Sequence, residues 1–286
     1  MRAYDNYDYE EEYSKRIIDL EEWRLENLIR TEKVKCLYRT TTTRSKNIKS
    51  GREILEAQVY PSFKNFKDVP VTTKKRETKP SQRNLNHKNS RRYLIRLVNI
   101  NFGEGDYWCT FGWNTDQLPE TMEQAQKDVA NFIKRIKYRH KKVSTEEVKY
   151  IYVLAFDGYE RPHFHLILSC ALNRDVIEDA WGKCDRPNTR RVKPDDAILT
   201  GMATYVGRNP HGAKSWCPSK NLKKPPEPSR SYSKFKRRRV REMVQDYEKL
   251  RVELEKSYPG YKYLDAEIYH NGINDGIYIY ARMVRN

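Results

Sequence analysis

Two apolar segments that follow each other closely constrain the fold of this chain more than any other feature. Residues Lys149–Phe156 (KYIYVLAF) have the composition of a buried strand, and after a short Asp-Gly turn residues His163–Cys170 (HFHLILSC) have it again. Their close spacing predicts an antiparallel hairpin. We therefore expect an α+β fold class, in which helices pack on an antiparallel sheet and His163–Cys170 forms a central strand.

The remaining sequence predicts further elements on both sides of this hairpin. Before it we expect a helix over Ile17–Ile29, a β-hairpin from residues 33–43 and 53–60, a basic loop-rich connector over residues 61–92, a strand over Asp106–Thr110 and an amphipathic helix marked by Met122, Ala125, Val129, Phe132 and Ile136. After it we expect helices over Asp175–Lys183 and Asp195–Val206, a loop over residues 214–231, a charged helix over residues 234–256, and strands over Tyr261–Tyr269 and Ile277–Val284. This organisation predicts an N-terminal region over residues 1–90, a core domain over residues 91–225 and a C-terminal region over residues 226–286.

The charge of the chain indicates a polyanionic partner. The 286 residues include 56 Lys and Arg against 39 Asp and Glu, a net charge of +17, and the cations are interleaved with 21 Tyr and 5 Trp. Surplus cations attract a phosphate backbone, and aromatic rings stack on unpaired bases. The composition therefore favours a nucleic-acid partner over a merely soluble basic protein.

Three features predict a reducing, cytosolic environment without a membrane contact. No run approaches the ~18 consecutive apolar residues of a membrane-spanning helix. The first residues (MRAYDNYDYEEEY) are acidic and polar, unlike a secretory signal. The 5 cysteines are scattered without a CxxC spacing, so neither a disulfide framework nor a cysteine-ligated zinc site is expected.

The segment Pro162–Leu168 carries the most informative chemistry of the sequence. In a strand, residues two apart share a face, so His163 and His165 project together while Phe164 packs on the opposite side. Neutral imidazoles are good ligands for divalent ions, so the pair forms half of a metal site. The alternative is two half-exposed histidines without a ligand.

A second feature lies near the end of a predicted helix, in the segment Gly201–Arg208 (GMATYVGR). Tyr205 and Arg208 are three residues apart and so lie on one helix face. A cation beside a tyrosine can stabilise a phenolate that acts as a nucleophile. Ordinary packing of the tyrosine beside a surface charge is the alternative.

Together these features resemble the HUH endonucleases, and within them the rolling-circle replication initiators of small phages and plasmids. The resemblance covers roughly residues 90–225 and rests on these segments: Asn99-Ile-Asn-Phe102, Asp106-Tyr-Trp-Cys-Thr-Phe111, Phe132-Ile-Lys-Arg-Ile136, Arg161-Pro-His-Phe-His-Leu-Ile-Leu168, Tyr205-Val-Gly-Arg208 and Ser219-Lys-Asn-Leu222. It implies a ferredoxin- or RRM-like core and metal-dependent nicking of single-stranded DNA at an origin hairpin. The family usually has Lys where Arg208 stands, and usually Thr-Leu-Thr-Tyr where this chain has Cys109-Thr-Phe-Gly112.

The resemblance also implies a role for each site residue. Tyr205 would attack the scissile phosphate, leaving a 5′-phosphotyrosine and a free 3′-hydroxyl, and Arg208 would contact the phosphate or the phenolate. His163 and His165 would hold Mg²⁺ or Mn²⁺ with a third ligand from the preceding turn. Asp157 is the first candidate for that ligand and Glu160 the second, because oxygen donors suit these ions.

Basic residues that could line a groove for single-stranded DNA occur in four places. They are Lys134, Arg135, Lys137 and Arg139 within the cluster Lys134–Lys142, Arg161 beside the histidines, Arg190 and Arg191, and Lys220 with Asn221 in the segment Lys220–Lys224. No Gly-x-x-x-x-Gly-Lys-Ser/Thr motif occurs, so a host helicase would have to unwind the duplex, and a host DNA polymerase would extend the 3′-hydroxyl.

Other functions remain open at this point. A conjugative relaxase or a single-tyrosine transposase would use the same chemistry, although the order of histidines before tyrosine favours an initiator. A non-catalytic protein that binds single-stranded DNA and controls replication is supported by the Arg208 and Cys109–Gly112 departures. A metal hydrolase acting on a small substrate fits the histidine pair but not the charge of +17.

Overall fold

A computed structural model of the chain describes residues 36–63, 80–156, 161–207, 216–271 and 276–285. The strands in chain order are β1 (Cys36–Lys46), β2 (Glu53–Phe63), β3 (Tyr107–Gly112), β4 (Lys149–Ala155), β5 (His163–Ser169), β6 (Asn188–Arg191), β7 (Cys217–Pro218), β8 (Ser229–Ser231), β9 (Tyr261–Asn271) and β10 (Gly276–Arg285). The helices are α1 (Pro80–Asn101), α2 (Met122–Lys141), α3 (Arg174–Trp181), α4 (Thr200–Val206), α5 (Arg237–Met243) and α6 (Tyr247–Ser257), with a 3₁₀ turn at Thr115–Gln117.

The chain divides into two compact units, each with its own sheet. The central unit comprises residues 45–52 and 91–225, and the terminal unit comprises the described parts of residues 1–44, 53–90 and 226–286. The segments before residue 91 and after residue 225 therefore share one unit, although they lie at opposite ends of the sequence.

The sheet of the central unit has the strand order β6-β3-β5-β4-β7, and every pairing in it is antiparallel. This confirms the α+β fold class, the β4–β5 hairpin and the central position of the histidine strand. In the register, Ala155 pairs with His163 and Val153 pairs with His165. On the other side of β5, Thr110 pairs with His165 and Gly112 with His163.

One face of this sheet is covered by α2 and α3. The alternation of β5 places Phe164 on that face, where it packs with Phe132 of α2 and Trp181 of α3 in one aromatic cluster. The Trp181 indole also donates a hydrogen bond to the Gly112 carbonyl at 2.7 Å, which ties α3 to β3. The histidines project from the other face of the sheet.

The sheet of the terminal unit has the strand order β8-β1-β2-β10-β9. The predicted C-terminal hairpin is confirmed, and β10 also pairs with β2 over six residues. Helices α5 and α6 cover one face, with Val240, Met243, Leu250 and Leu254 in a core that they share with residues of β2 and β10. Pairing between strands so far apart in sequence cannot be read from local patterns.

The prediction of a loop-rich connector over residues 61–92 was wrong for its last part, because α1 begins at Pro80. Residues 80–90 are polar and show no apolar periodicity, so they carry no helical signal. The apolar stripe starts later, with Leu94, Leu97 and Val98, which are buried at helical spacing. Proline at the first helical position is compatible with the start of α1.

Three other elements differ in extent from the predictions. The helix expected from Asp195 begins only at Thr200, because a turn closed by reciprocal Asp195–Ile198 backbone hydrogen bonds, with Ile198 at φ 62°, precedes it. The helix expected over residues 234–256 is broken into α5 and α6, where Asp246 caps the second helix. Strands β6, β7 and β8 were not predicted, and Ile17–Ile29 lies outside the described residues.

No helix in the described part of the chain is both long enough and apolar enough to cross a membrane.

Candidate active site

The two histidines lie side by side on the uncovered face of the central strand. Their ring centroids are 5.0 Å apart with the planes 82° to each other. Both side chains are half-buried, whereas Phe164 between them is fully buried on the other face. This is the arrangement that the alternation of strand residues predicts.

Hydrogen bonds orient both imidazoles by the same ring atom. His163 Nδ1 lies 2.9 Å from the Arg161 carbonyl, which can only accept, so Nδ1 carries the proton. His165 Nδ1 lies 3.0 Å from the Thr110 hydroxyl of the neighbouring strand. Each ring is thereby left with Nε2 as the atom that can bind a ligand.

His165 is kept neutral by its surroundings. Burial lowers its pKa to about 4, and the nearby His163 acts in the same direction. The Trp108 indole stacks on the His165 ring, with centroids 5.2 Å apart and planes inclined by 16°. Neutral imidazole is the form that ligates a metal ion, so this environment suits a ligand rather than a cation.

Helix α4 brings Tyr205 to the same face. The Tyr205 ring is 5.5 Å from the His165 ring and 6.4 Å from the Trp108 ring, and both contacts are edge-to-face. The tyrosine side chain is 59% exposed, so a substrate can reach it. The structure therefore brings together His163, His165 and Tyr205, although some forty residues of sequence separate the histidines from the tyrosine.

A buried asparagine of α1 holds the beginning of α4. The Asn99 amide oxygen accepts the Leu199 backbone N–H at 3.0 Å, and its amide nitrogen donates to the Thr200 hydroxyl at 2.8 Å. At the other end of the helix, Gly207 lies against α1, where an added Cβ would be 2.7 Å from Arg91 Cγ. Only glycine fits this close approach without a shift of the arginine.

A pocket of about 730 Å³ opens beside these rings. Strand β6 forms one wall, and Arg190 pairs with Trp108 of β3, which places both residues on the histidine face. Arg190 is exposed, and its guanidinium has no ion-pair partner among the residues that the structure describes. A positive charge beside the histidines and Tyr205 suits a phosphate group.

The predicted basic residues of α2 lie elsewhere. The apolar residues of this helix pack on the sheet face opposite to the histidines, so Lys134 and Lys137 are not brought to the pocket. Arg135 donates to the Ala180 carbonyl at 2.8 Å, and Arg139 donates to the Val176 carbonyl at 3.0 Å and to Asp179. These two arginines thus fasten α3 to α2.

The other predicted nucleic-acid contacts are divided between internal and free positions. Arg161 donates to the Trp113 carbonyl at 2.8 Å, and the Arg191 guanidinium lies 3.9 Å from the Tyr107 ring. Asn221 donates to the carboxylate of Glu147 at 2.9 Å and to the Val148 carbonyl, which fastens its loop. Lys220 is exposed to solvent.

The remaining predicted site residues, Asp157, Glu160 and Arg208, lie outside the described part of the chain. Within that part, no group of three or more His, Cys, Asp and Glu side chains is placed to hold a metal ion. Two neutral imidazoles with Nε2 available nevertheless suit a divalent ion, for which a third ligand from residues 157–160 would complete the set.

Trp108, Thr110 and Asn99 contribute to the site, but their roles were not assigned from the sequence. The first two are neighbours of the histidine strand through the pairing of β3 with β5, which the sequence could have indicated once that pairing was assumed. Asn99 acts across 101 residues on the start of α4, and no local pattern shows such a contact.

Comparison with known protein families supports a role for this site in DNA replication. Residues 106–211 match the model of a family described as replication-associated proteins of the ORF2 type, a range that includes β3, both histidines and Tyr205. No curated protein and no solved structure matched the chain. The family match supports a replication initiator of the Rep type.

Proposed function

We propose that this protein starts rolling-circle replication by nicking single-stranded DNA at an origin sequence, with Tyr205 as the nucleophile. The observation that carries the proposal is the meeting of the Tyr205 ring with the His165 ring at 5.5 Å, on the face where His163 also lies. A tyrosine beside two ligand-competent imidazoles suits attack on a phosphodiester.

In the proposed reaction the Tyr205 hydroxyl oxygen forms a bond to the scissile phosphorus as it loses its proton. The bond from phosphorus to the 3′-oxygen breaks, and that oxygen takes up a proton to become a free 3′-hydroxyl. The strand is left joined to Tyr205 through a 5′-phosphotyrosine. Since the phosphodiester energy is retained, a later 3′-hydroxyl can attack the phosphotyrosine and rejoin the strand.

His163 and His165 would hold a Mg²⁺ or Mn²⁺ ion through Nε2, with Asp157 or Glu160 as the third ligand. Such an ion polarises the phosphate and offsets the charge that develops on its oxygens. Arg190 would contact the phosphate from β6, and Arg208 would contact the phosphate or the phenolate. Trp108 would exclude water from one side of His165.

The partners in this proposal are a single-stranded origin hairpin, a host helicase and a host DNA polymerase. The helicase opens the duplex, because no nucleotide-binding loop was found in the sequence. The polymerase extends the 3′-hydroxyl that the nick releases.

The decisive experiment is formation of a covalent protein–DNA adduct. A labelled library of single-stranded hairpins is incubated with Mn²⁺, and the protein is separated under denaturing conditions. We expect an adduct with the wild type, none with Tyr205→Phe or in the presence of a chelator, and a loss of at least about 100-fold with His163→Ala or His165→Ala.

Tyr138→Phe is the matched control, because Tyr138 is also exposed on a helix but lies on α2. Its adduct yield should equal that of the wild type. DNA binding without any adduct would replace the proposal with the non-catalytic replication-control function. An adduct that persists in Tyr205→Phe would place the nucleophile elsewhere.

A further inference from the structure

The terminal unit contains a polar pocket that has no part in the site described above. It lies where the edge strand β8 pairs with β1, and its volume is about 320 Å³. The residues that define it, called the β1–β8 pocket below, are Thr40, Thr42, Arg44, Ser231, Lys234 and Tyr258.

The alternation of β1 explains why this pocket is polar. Tyr38 belongs to the core between the terminal sheet and its helices. Thr40, Thr42 and Arg44 follow it on the same face at intervals of two residues. The apolar face of the strand therefore changes into a row of hydroxyls that ends in a guanidinium.

Two cations meet in the β1–β8 pocket. The pKa of Lys234 is lowered, mainly by burial and secondarily by the positive charge of Arg44. No Asp or Glu belongs to the described lining of the pocket, so the two charges are not balanced there. Bringing two like charges together costs free energy, which a bound anion would offset.

A buried hydroxyl in the same wall lacks a partner. Thr40 is 1% exposed, and its hydroxyl has no hydrogen-bond partner among the described residues. The neighbouring Thr42 hydroxyl is satisfied by Tyr258 at 3.0 Å. Buried hydroxyls are normally paired, so an unpaired one beside two cations indicates room for a ligand oxygen.

We propose that the β1–β8 pocket binds a backbone phosphate of a nucleic-acid strand, as a contact separate from the Tyr205 site. Guanidinium, ammonium and hydroxyl groups are the donors that phosphate oxygens accept from. The pocket favours a backbone phosphate over a free nucleotide, because the Tyr258 ring is already covered by Lys234 Nζ at 3.9 Å and cannot stack on a base. The inference rests on the proposed function in that DNA is the polyanion.

The test measures binding of a labelled single-stranded oligonucleotide over a range of salt concentrations, in the Tyr205→Phe protein so that no covalent step contributes. Removing one phosphate contact from single-stranded DNA lowers the slope of log K against log salt by about 0.7. We expect this decrease, with weaker binding at every salt concentration, for Lys234→Gln and for Arg44→Gln. Melting temperatures show whether each variant is folded.

Lys262→Gln is the matched control, because Lys262 is an exposed cation on β9 at the opposite edge of the same sheet. Its slope should equal that of the parent. Thr40→Val should weaken DNA binding without lowering the melting temperature, since it removes a hydroxyl that has no partner within the described residues. A purely structural Thr40 would leave DNA binding unchanged.

Equal salt slopes for Lys234→Gln, Arg44→Gln and the parent would overturn the inference. ATP binding that depends on Lys234, with DNA binding unaffected, would overturn it in favour of a free nucleotide. The adduct experiment separates this result from the proposed function. An adduct on Tyr205 with unchanged salt slopes refutes only the pocket, and reduced slopes without an adduct refute only the nicking reaction.

Discussion

At the scale of single residues, His165 is held on three sides. Thr110 contacts Nδ1, Trp108 covers one face of the ring, and the edge of Tyr205 meets it. A ligand whose second ring nitrogen is engaged has a defined orientation, so its Nε2 points in one direction. The first-motif segment Cys109–Gly112, which departs from the family pattern, supplies this contact.

Thr110→Val tests that contact. The substitution keeps the shape of the side chain and removes the oxygen that meets His165 Nδ1. We expect the affinity for Mn²⁺, measured by titration calorimetry, to fall by about 10–100-fold.

Thr110→Ser should restore most of the Mn²⁺ affinity, because it keeps the hydroxyl. If valine and serine behave alike, the hydroxyl does not orient His165.

At the scale of elements, the placement of Tyr205 depends on how α4 is anchored. The helix has only seven residues, and isolated helices of that length are unstable in water. Its first turn is fixed by Asn99, and its last turn lies close to α1 at Gly207. The position of the tyrosine is therefore set by α1 rather than by the propensity of α4.

Asn99→Leu should detach the start of α4. Two buried hydrogen bonds are lost, which lowers the free energy of unfolding by about 1–3 kcal/mol, and the rate of adduct formation should fall by at least about 10-fold. The rate is measured in single-turnover adduct assays at temperatures where the variant is fully folded.

The matched control for Asn99→Leu is Asn101→Leu. Asn101 lies on the same helix and also makes two reciprocal bonds to a distant backbone, those of Lys223. A similar loss of stability is expected, but the rate of adduct formation should be preserved. Equal slowing by both variants would attribute the effect on adduct formation to general destabilisation.

At the scale of the whole molecule, the central sheet separates two kinds of surface. Helices α2 and α3 cover one face, and the histidines with Tyr205 and Arg190 lie on the other. Much of the charge on α2 serves to attach α3, as Arg135 and Arg139 show. A high positive charge in the sequence thus does not identify which surface contacts DNA.

Arg190→Gln and Lys134→Gln together test which face of the central sheet binds single-stranded DNA. Both residues are exposed cations, but only Arg190 lines the pocket beside His165. We expect Arg190→Gln to reduce the slope of log K against log salt by about 0.7, and Lys134→Gln to leave it unchanged. The reverse result would place the strand along α2.

Local patterns in the sequence determined several features of this protein. The period of two in the β4–β5 hairpin places His163 and His165 on one face and Phe164 in the core, and the structure confirms both. The period of 3.6 predicted α2, because its apolar residues meet a core at every turn. These features depend on neighbours in sequence, which is why they could be predicted.

Only the tertiary structure decided which of the chemical groups meet. The contact of Asn99 with α4, the addition of β6 with Arg190 to the sheet, and the pairing of β2 with β10 all join residues far apart in the chain. Residues 80–90 became helical although they carry no apolar period. Such contacts depend on packing between surfaces, and a linear pattern records the composition of each surface but not its partner.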